Sequence, residues 1–362
     1  MRGHAGRMTL APHFAGGRDY LAACTLGLPP RATVAAVSAD LQAAASGRPD
    51  VAAATRAVED ARRSYAHLVH APVSGVAIAA QTSVAVSLIA AAVPDGAEVL
   101  CPEGDFASLV APFAHAGRGV RLRSVPLSRL ADEVTAETWL VAFSLVQSAT
   151  GEVADAAGIA AAAARAGART LCDLTQAAGW LPVDATLFDA TVCHAYKWLC
   201  APRGVGFLTL SPALARELRP VHAGWYSGDD PWASCYGVSA PPAPDARRFD
   251  VSPAWQAFVG AAPALALFAS ADPTAVHAHT TGLAARFRAG MDLDEQPRPS
   301  AIVTWPDAEG CALARLTASG MIASGRAGRA RVAFHVFNDE DDVDRSLSAL
   351  HGRRSAPLTV AL

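Results

Sequence analysis

Between Val76 and Leu210 short apolar runs alternate with helical stretches, and few folds can use such a pattern. The runs at Val76–Ala80, Glu98–Cys101, Val120–Val125, Trp139–Val146, Thr170–Leu174, Ala190–His194 and Val205–Leu210 have the length and composition of strands. Helical segments follow the early ones at Ser83–Val93, Phe106–Ala116 and Ala154–Ala166, and two more precede the series at Pro30–Ala45 and Val51–Leu68. Most of these strands carry apolar residues on both faces, which predicts an α/β fold with a mostly parallel sheet covered by helices on each side. Ligands of such sheets bind beyond the carboxyl ends of the strands, so the residues just after each strand carry the chemical interest.

The pattern stops near Pro212. Residues 221–250, rich in Gly, Pro and aromatics, read as a long functional loop, and a helix over 253–269 follows. Strands at 301–305 and 331–337 and a closing helix at 340–350 predict a small α+β unit. The expected division is a large domain over 25–259 and a small one from 1–24 and 260–362.

At 362 residues, 52% apolar and 17% charged, the chain can bury a large core and is neither disordered nor fibrous. A net charge of −3 gives no basic footprint for nucleic acid. The uncharged stretch 76–93 is not a membrane span, because Gln81, Thr82, Ser83 and Ser87 interrupt it. The stretch Met1 to Phe14 lacks the apolar segment of a signal peptide. Seven scattered cysteines without C-x-x-C spacing fit reduced thiols, no metal site and a cytoplasmic location.

Lys197 is the only lysine in the chain. In an Arg-rich sequence, a retained lysine points to work Arg cannot do, such as nucleophilic amine chemistry, and its Tyr196 and Trp198 neighbours favour desolvation. Neither a Walker A sequence nor a G-x-G-x-x-G follows any strand, which removes nucleoside triphosphate and dinucleotide readings. Thr82 and Ser83 after the first strand could hold a phosphate at a helix N-terminus, or simply cap it. Asp173 at a strand end, with Gln176 three residues on, is a candidate buried carboxylate or an ordinary turn cap.

Taken together, these pieces resemble the class V aminotransferase family of fold-type I pyridoxal-phosphate enzymes. The most specific stretch is CDLTQAAGWLPVDATLFDATVCHAYKWLCAPRGVGFLTL at 172–210, with weaker similarity from YLAACTLGLPP at 20–30 to RVAFHVFNDEDDVDR at 331–345. The resemblance implies pyridoxal 5'-phosphate as cofactor, bound through a Schiff base to Lys197, which then shuttles the substrate α-proton. It implies Asp173 at the pyridine nitrogen, Gln176 at the phenolic oxygen with help from Gln147 and Ser148, and Phe106 stacked on the ring. Thr82, Ser83, His194 and Tyr196 would hold the phosphate, and Ser252 is the candidate contributed by a second subunit. Arg331 would take the carboxylate of a small amino-acid substrate. A homodimer with its active site at the subunit interface is implied as well.

Two departures sharpen the reading. The family's Ser or Gly pair before the lysine is replaced by His194-Ala195-Tyr196, so the His194 role rests on its chemistry. The desulfurase members carry a catalytic Cys on a loop before the last Arg-containing strand, whereas the stretch MIASGRAGRARVAF at 321–334 has none and Cys311 falls in an expected helix. A C–S lyase working by β-elimination is therefore the leading expectation. Aminotransferase, epimerase and kynureninase-like hydrolase activities share most of the site, and a non-catalytic binding relative would not need Lys197, Asp173 and Arg331 together.

Overall fold

Seven strands form one sheet: β1 (Val76–Ala79), β2 (Glu98–Pro102), β3 (Arg121–Val125), β4 (Thr138–Ser144), β5 (Arg169–Asp173), β6 (Ala190–His194) and β7 (Gly206–Leu210), in the order β1-β7-β6-β5-β4-β2-β3. These coordinates are a computed structural model, and the structure describes residues 10–352. The start of the stretch Met1 to Phe14 and the outer ends of the expected small domain lie outside the described residues. All strands run the same way except β7, which is antiparallel to both β1 and β6. Chain length explains the exception. Residues 195–205 are too few for a crossover helix, so β7 must return beside β6 in the opposite direction.

Alternate residues of each strand feed two cores, as the pleat requires. Ile78, Val141, Phe143, Cys172 and Phe207 join one core, which also takes in residues of α2 (Val51–Leu68), α5 (Ala156–Ala166) and α7 (Trp255–Ala269). Ala77, Leu140, Ala142, Leu171 and Leu208 join the other, under α3 (Thr82–Ala90) and α4 (Ala107–Ala114). The short α6 (Pro212–Glu217) follows β7 directly, and α1 (Arg31–Ala45) packs on α7.

A second sheet of three antiparallel strands, β8 (Ile302–Pro306), β9 (Ser324–Arg326) and β10 (Arg329–Ala333), has the order β8-β10-β9. It shares its own core with α8 (Pro273–Gly290), α9 (Cys311–Ala318) and α10 (Glu340–Leu350), and Leu21 of the N-terminal segment enters that core. No single helix among the described residues is long and apolar enough to cross a membrane.

Two expectations shift, and the expected domain boundary meets a continuous helix. The strand expected to reach residue 337 ends at Ala333, because the His335 N–H turns to Asn338 Oδ1 (2.9 Å) and leaves the ladder. The helix α8 was not expected, although Asp272-Pro273 at its start forms an N-cap in which Asp272 accepts from the Thr274 N–H. The expected division at 259/260 falls inside α7, whose Phe258, Ala261 and Leu265 all lie in the large core. The chain instead bends by 90° between α7 and α8.

One buried ion pair ties three elements together. Arg62 on α2 and Asp250 ahead of α7 are each 1% exposed, with Nη2 and Oδ2 2.6 Å apart. Arg62 also donates to the Val76 carbonyl (2.6 Å), and Asp250 accepts from the Ile78 N–H (2.8 Å), so both hold β1. Arg62→Ala would strand the Asp250 charge in the core. Denaturant unfolding of this variant is expected to show a loss of about 3–5 kcal/mol, and a change under 1 kcal/mol would mean the pair is no clamp.

Candidate active site

Asp173 and Lys197 lie at and just beyond the carboxyl ends of the neighbouring strands β5 and β6, within reach of each other's charge. Asp173 ends β5 and is 3% exposed, with Oδ1 accepting from the Thr175 N–H (2.8 Å). Burial raises its carboxyl to about 6, against the opposing pull of Thr175 and of the Lys197 charge. The next strand ends at His194, whose N–H donates to Thr175 Oγ1 (3.0 Å), and the turn beyond it carries Lys197.

Lys197 is 5% exposed, and its Nζ lies 5.2 Å from the Phe106 ring centroid and 5.7 Å from that of Tyr196. Among the described residues it forms neither an ion pair nor a side-chain hydrogen bond. Burial brings its amine down to about 8, although Asp173 pulls the other way. A glycine outside the expected set makes this turn possible. Gly27 N–H donates to the Tyr196 carbonyl (2.9 Å), and a Cβ at Gly27 would sit 1.9 Å from the Lys197 carbonyl oxygen.

Phe106 faces Lys197 because Asp105 is anchored. The Asp105 carboxylate accepts from the Ser144 N–H (2.8 Å), the Ser144 hydroxyl (2.5 Å) and the Phe106 N–H (2.6 Å), which fixes the ring beside the end of β4. Asp105 is a site-positioning residue outside the expected set, next in sequence to Phe106.

The expected phosphate residues lie at or just beyond the ends of β1 and β6, the two strands that flank β7. Thr82 and Ser83 form the first turn of α3, where the Gln81 side chain makes no cap and no acidic residue competes. The first-turn N–H groups thus suit an anion. The His194 and Tyr196 rings pack edge to face at 4.4 Å, and the Arg203 guanidinium lies 4.4 Å from the Tyr196 centroid. Burial, then the Arg203 and Lys197 charges, push His194 down to about 4, so it is neutral at pH 7. Its Nε2 accepts from the Gly204 N–H (3.4 Å), which leaves the ring proton on Nδ1.

Gln176 is held in hydrogen bonds within the protein beside the site. Its Nε2 donates to the Cys24 carbonyl (2.9 Å) and Ser148 Oγ (3.0 Å), and its Oε1 accepts from Trp198 Nε1 (2.8 Å). Both amide protons are committed within the protein, so this side chain braces the N-terminal segment against the site. Gln147 donates to the Glu103 carbonyl (3.4 Å). Ser252 is exposed and accepts from Trp225 Nε1 (3.3 Å), and no hydrogen bond joins it to the Lys197 cluster among the described residues.

Arg331 on β10 is 1% exposed, and every partner it has is neutral. Nε donates to Ser324 Oγ (3.2 Å), Nη1 to the Ser148 carbonyl and its Oγ (2.9 Å), and Nη2 to Thr25 Oγ1 (2.8 Å). A buried guanidinium without a carboxylate partner is a ready acceptor for one.

This arrangement of a parallel sheet, a buried strand-end carboxylate and a lysine on the following turn has known counterparts. Residues 30–305 match the family described as aminotransferase class-V, and the chain belongs to that family. Pyridoxal 5'-phosphate is the cofactor of its enzymes. Curated relatives include isopenicillin N epimerase of Streptomyces clavuligerus, 32% identical over 182 residues, which are 46% of this chain and 46% of the relative. A probable cysteine desulfurase of Aeropyrum pernix is 32% identical over 188 residues, covering 47% and 46%. The matched region spans about half the length of each relative. Among solved structures, a cystine C–S lyase complexed with its product cysteine persulfide aligns over 94% of this chain and 98% of its own, with a TM-score of 0.83 and 20% identity. A cysteine desulfurase from Escherichia coli aligns over 97% and 99%, with a TM-score of 0.81 and 20% identity.

The residues present fit the cofactor. An aldehyde needs a partly deprotonated amine, a protonated pyridine needs a carboxylate, and a phosphate needs open N–H donors. Lys197, Asp173 and the first turn of α3 offer these in turn, and the first two form no ion pair among the described residues.

Proposed function

We propose that this chain is a pyridoxal-phosphate enzyme that cleaves a C–S bond in an amino acid by β-elimination. The observation that carries the proposal is the buried, unpaired Lys197 amine facing Phe106, with Asp173 at the adjacent strand end. When bound, the cofactor supplies an electron-withdrawing ring that stabilises negative charge at the substrate α-carbon.

The chain's own groups do the rest. Asp173 would pair with the ring nitrogen and keep it protonated. Phe106 would pack against the ring and exclude water. Thr82, Ser83, Tyr196 and the His194 Nδ1–H would hold the phosphate. Arg331 takes the substrate carboxylate by exchanging the Ser148 and Thr25 contacts of its Nη groups for it, which orients the α-proton toward Lys197 Nζ. Lys197 removes that proton, the Cβ–S electron pair leaves with sulfur as a thiolate that takes up a proton, and water hydrolyses the released enamine to keto acid and ammonia.

A persulfide route is disfavoured by the placement of the thiols. The segment 321–334 has no cysteine, Cys311 is exposed at the start of α9, and Cys24 is fully buried beneath the site. We place the domain division at the bend between α7 and α8, and we propose a cytoplasmic homodimer with the site at its interface. Trp232, Tyr236 and Val238 support association, since all three are exposed apolar residues on the 221–250 loop.

The reaction class has a direct test. With a cysteine thioether, ammonia and keto acid should form in equal amounts without any added acceptor. Turnover that stops after one equivalent and resumes on adding a keto acid would make the protein an aminotransferase instead. Inversion at the α-carbon without ammonia would make it an epimerase.

A further inference from the structure

Beyond the residues assigned above, the small sheet carries a row of arginines with unusual partners. Arg331 pairs across the ladder with Ser324, and Arg329 with Arg326. Directly opposed residues share a face, as do residues two apart, so Arg326, Arg329, Arg331 and Ser324 project from one side of the sheet. That side looks toward the Lys197 site, because Arg331 reaches Ser148 and Thr25 there, and the Thr304 hydroxyl on the same face reaches the Thr150 carbonyl (3.1 Å).

None of the three arginines forms an ion pair among the described residues. Elsewhere in the same part of the chain Arg286 pairs with Glu340 and Asp344, and Arg345 with Asp19 and Asp342. Arg329 is spent on Thr304, donating to its Oγ1 (3.1 Å) and its carbonyl (3.3 Å). Arg331 is assigned to the α-carboxylate. Arg326 is left with one contact, from Nη1 to the carbonyl of its own neighbour Gly325 (2.6 Å). Its charge is nonetheless felt at the Lys197 amine together with that of Arg331. Arg326 is not on a loose loop. Ala327 and Gly328 form a two-residue turn with φ of 49° and 70°, so the ladder holds Arg326 at the rim of the site.

We propose that Arg326 binds a second anionic group, at the far end of the substrate side chain. The amino acid taken by this site is then dianionic, with a carboxylate or comparable oxyanion on the group attached to sulfur. This deepens the proposed function and rests on Arg331 holding the α-carboxylate.

The probes are S-carboxymethyl-L-cysteine and its neutral near-isostere S-carbamoylmethyl-L-cysteine, titrated into the holoenzyme with tryptophan fluorescence as the readout. The carboxymethyl compound should bind tighter by about ten- to a hundredfold, the range of one charge-assisted bidentate contact. Arg326→Gln should bring the two dissociation constants together, and Arg326→Lys should restore part of the gap. Equal affinities in the unaltered protein, or a preference that survives Arg326→Gln, would overturn the assignment. Keto-acid release is assayed separately. Charge preference without release leaves Arg326 standing and defeats the lyase reading, whereas release without charge preference does the reverse.

Discussion

Lys197→Ala is expected to abolish turnover while leaving the chain folded. Loss of a positioned proton-transfer group alone removes about 10²–10⁴-fold, and here the same residue also moors the cofactor. The amine is buried beside Tyr196 and Phe106 and forms no side-chain hydrogen bond among the described residues, so the variant deletes chemistry without deleting a contact that holds the fold. Removing it even relieves a cost. The folded amine titrates near 8 against 10.5 when unfolded, so burying it is unfavourable below about pH 8 and that cost fades as pH rises toward 10.5. The apoprotein of Lys197→Ala should therefore be at least as stable as the unaltered apoprotein at pH 7. A variant that keeps turnover would show that another group carries the cofactor, although the chain has no second lysine to do so.

Asp173→Asn is expected to lower kcat by roughly 10²-fold, the upper range of one charge-assisted hydrogen bond, with little change in cofactor affinity through the phosphate. Asparagine preserves the shape and the acceptor for the Thr175 N–H, so only the charge is lost. The sign for stability is opposite to that for activity. The Asp173 carboxyl is raised to about 6 from 3.8, so its burial costs most above pH 6 and the cost disappears as pH falls toward 3.8. At pH 7.5 the Asn apoprotein should unfold no earlier than the unaltered apoprotein. Near-normal kcat in this variant would reduce Asp173 to a turn residue.

Much of this architecture was legible because its signals are local. Strand runs with apolar residues on both faces specify the sheet and its two covered sides, and the 172–210 stretch puts Asp173 and Lys197 at neighbouring strand ends. Three features were not legible for physical reasons. Gly27 matters only because a distant turn approaches its Cα, and nothing in YLAACTLGLPP marks that approach. Gln176 had donors to offer a ligand, yet the fold brings Cys24 and Ser148 to it first. Of the arginines in GRAGRAR only Arg331 carries a sequence signal, and Arg326 and Arg329 read as ordinary surface charge until β10 pairs with β9 and turns their face toward the site.

The central claim is that Lys197 carries the cofactor, and borohydride reduction of the holoenzyme tests it most directly. Peptide mass spectrometry should find one pyridoxyl group per chain, on the peptide containing Lys197, and the unreduced protein should release the cofactor on denaturation. A reduced protein with no label at Lys197, despite bound cofactor, would contradict the account.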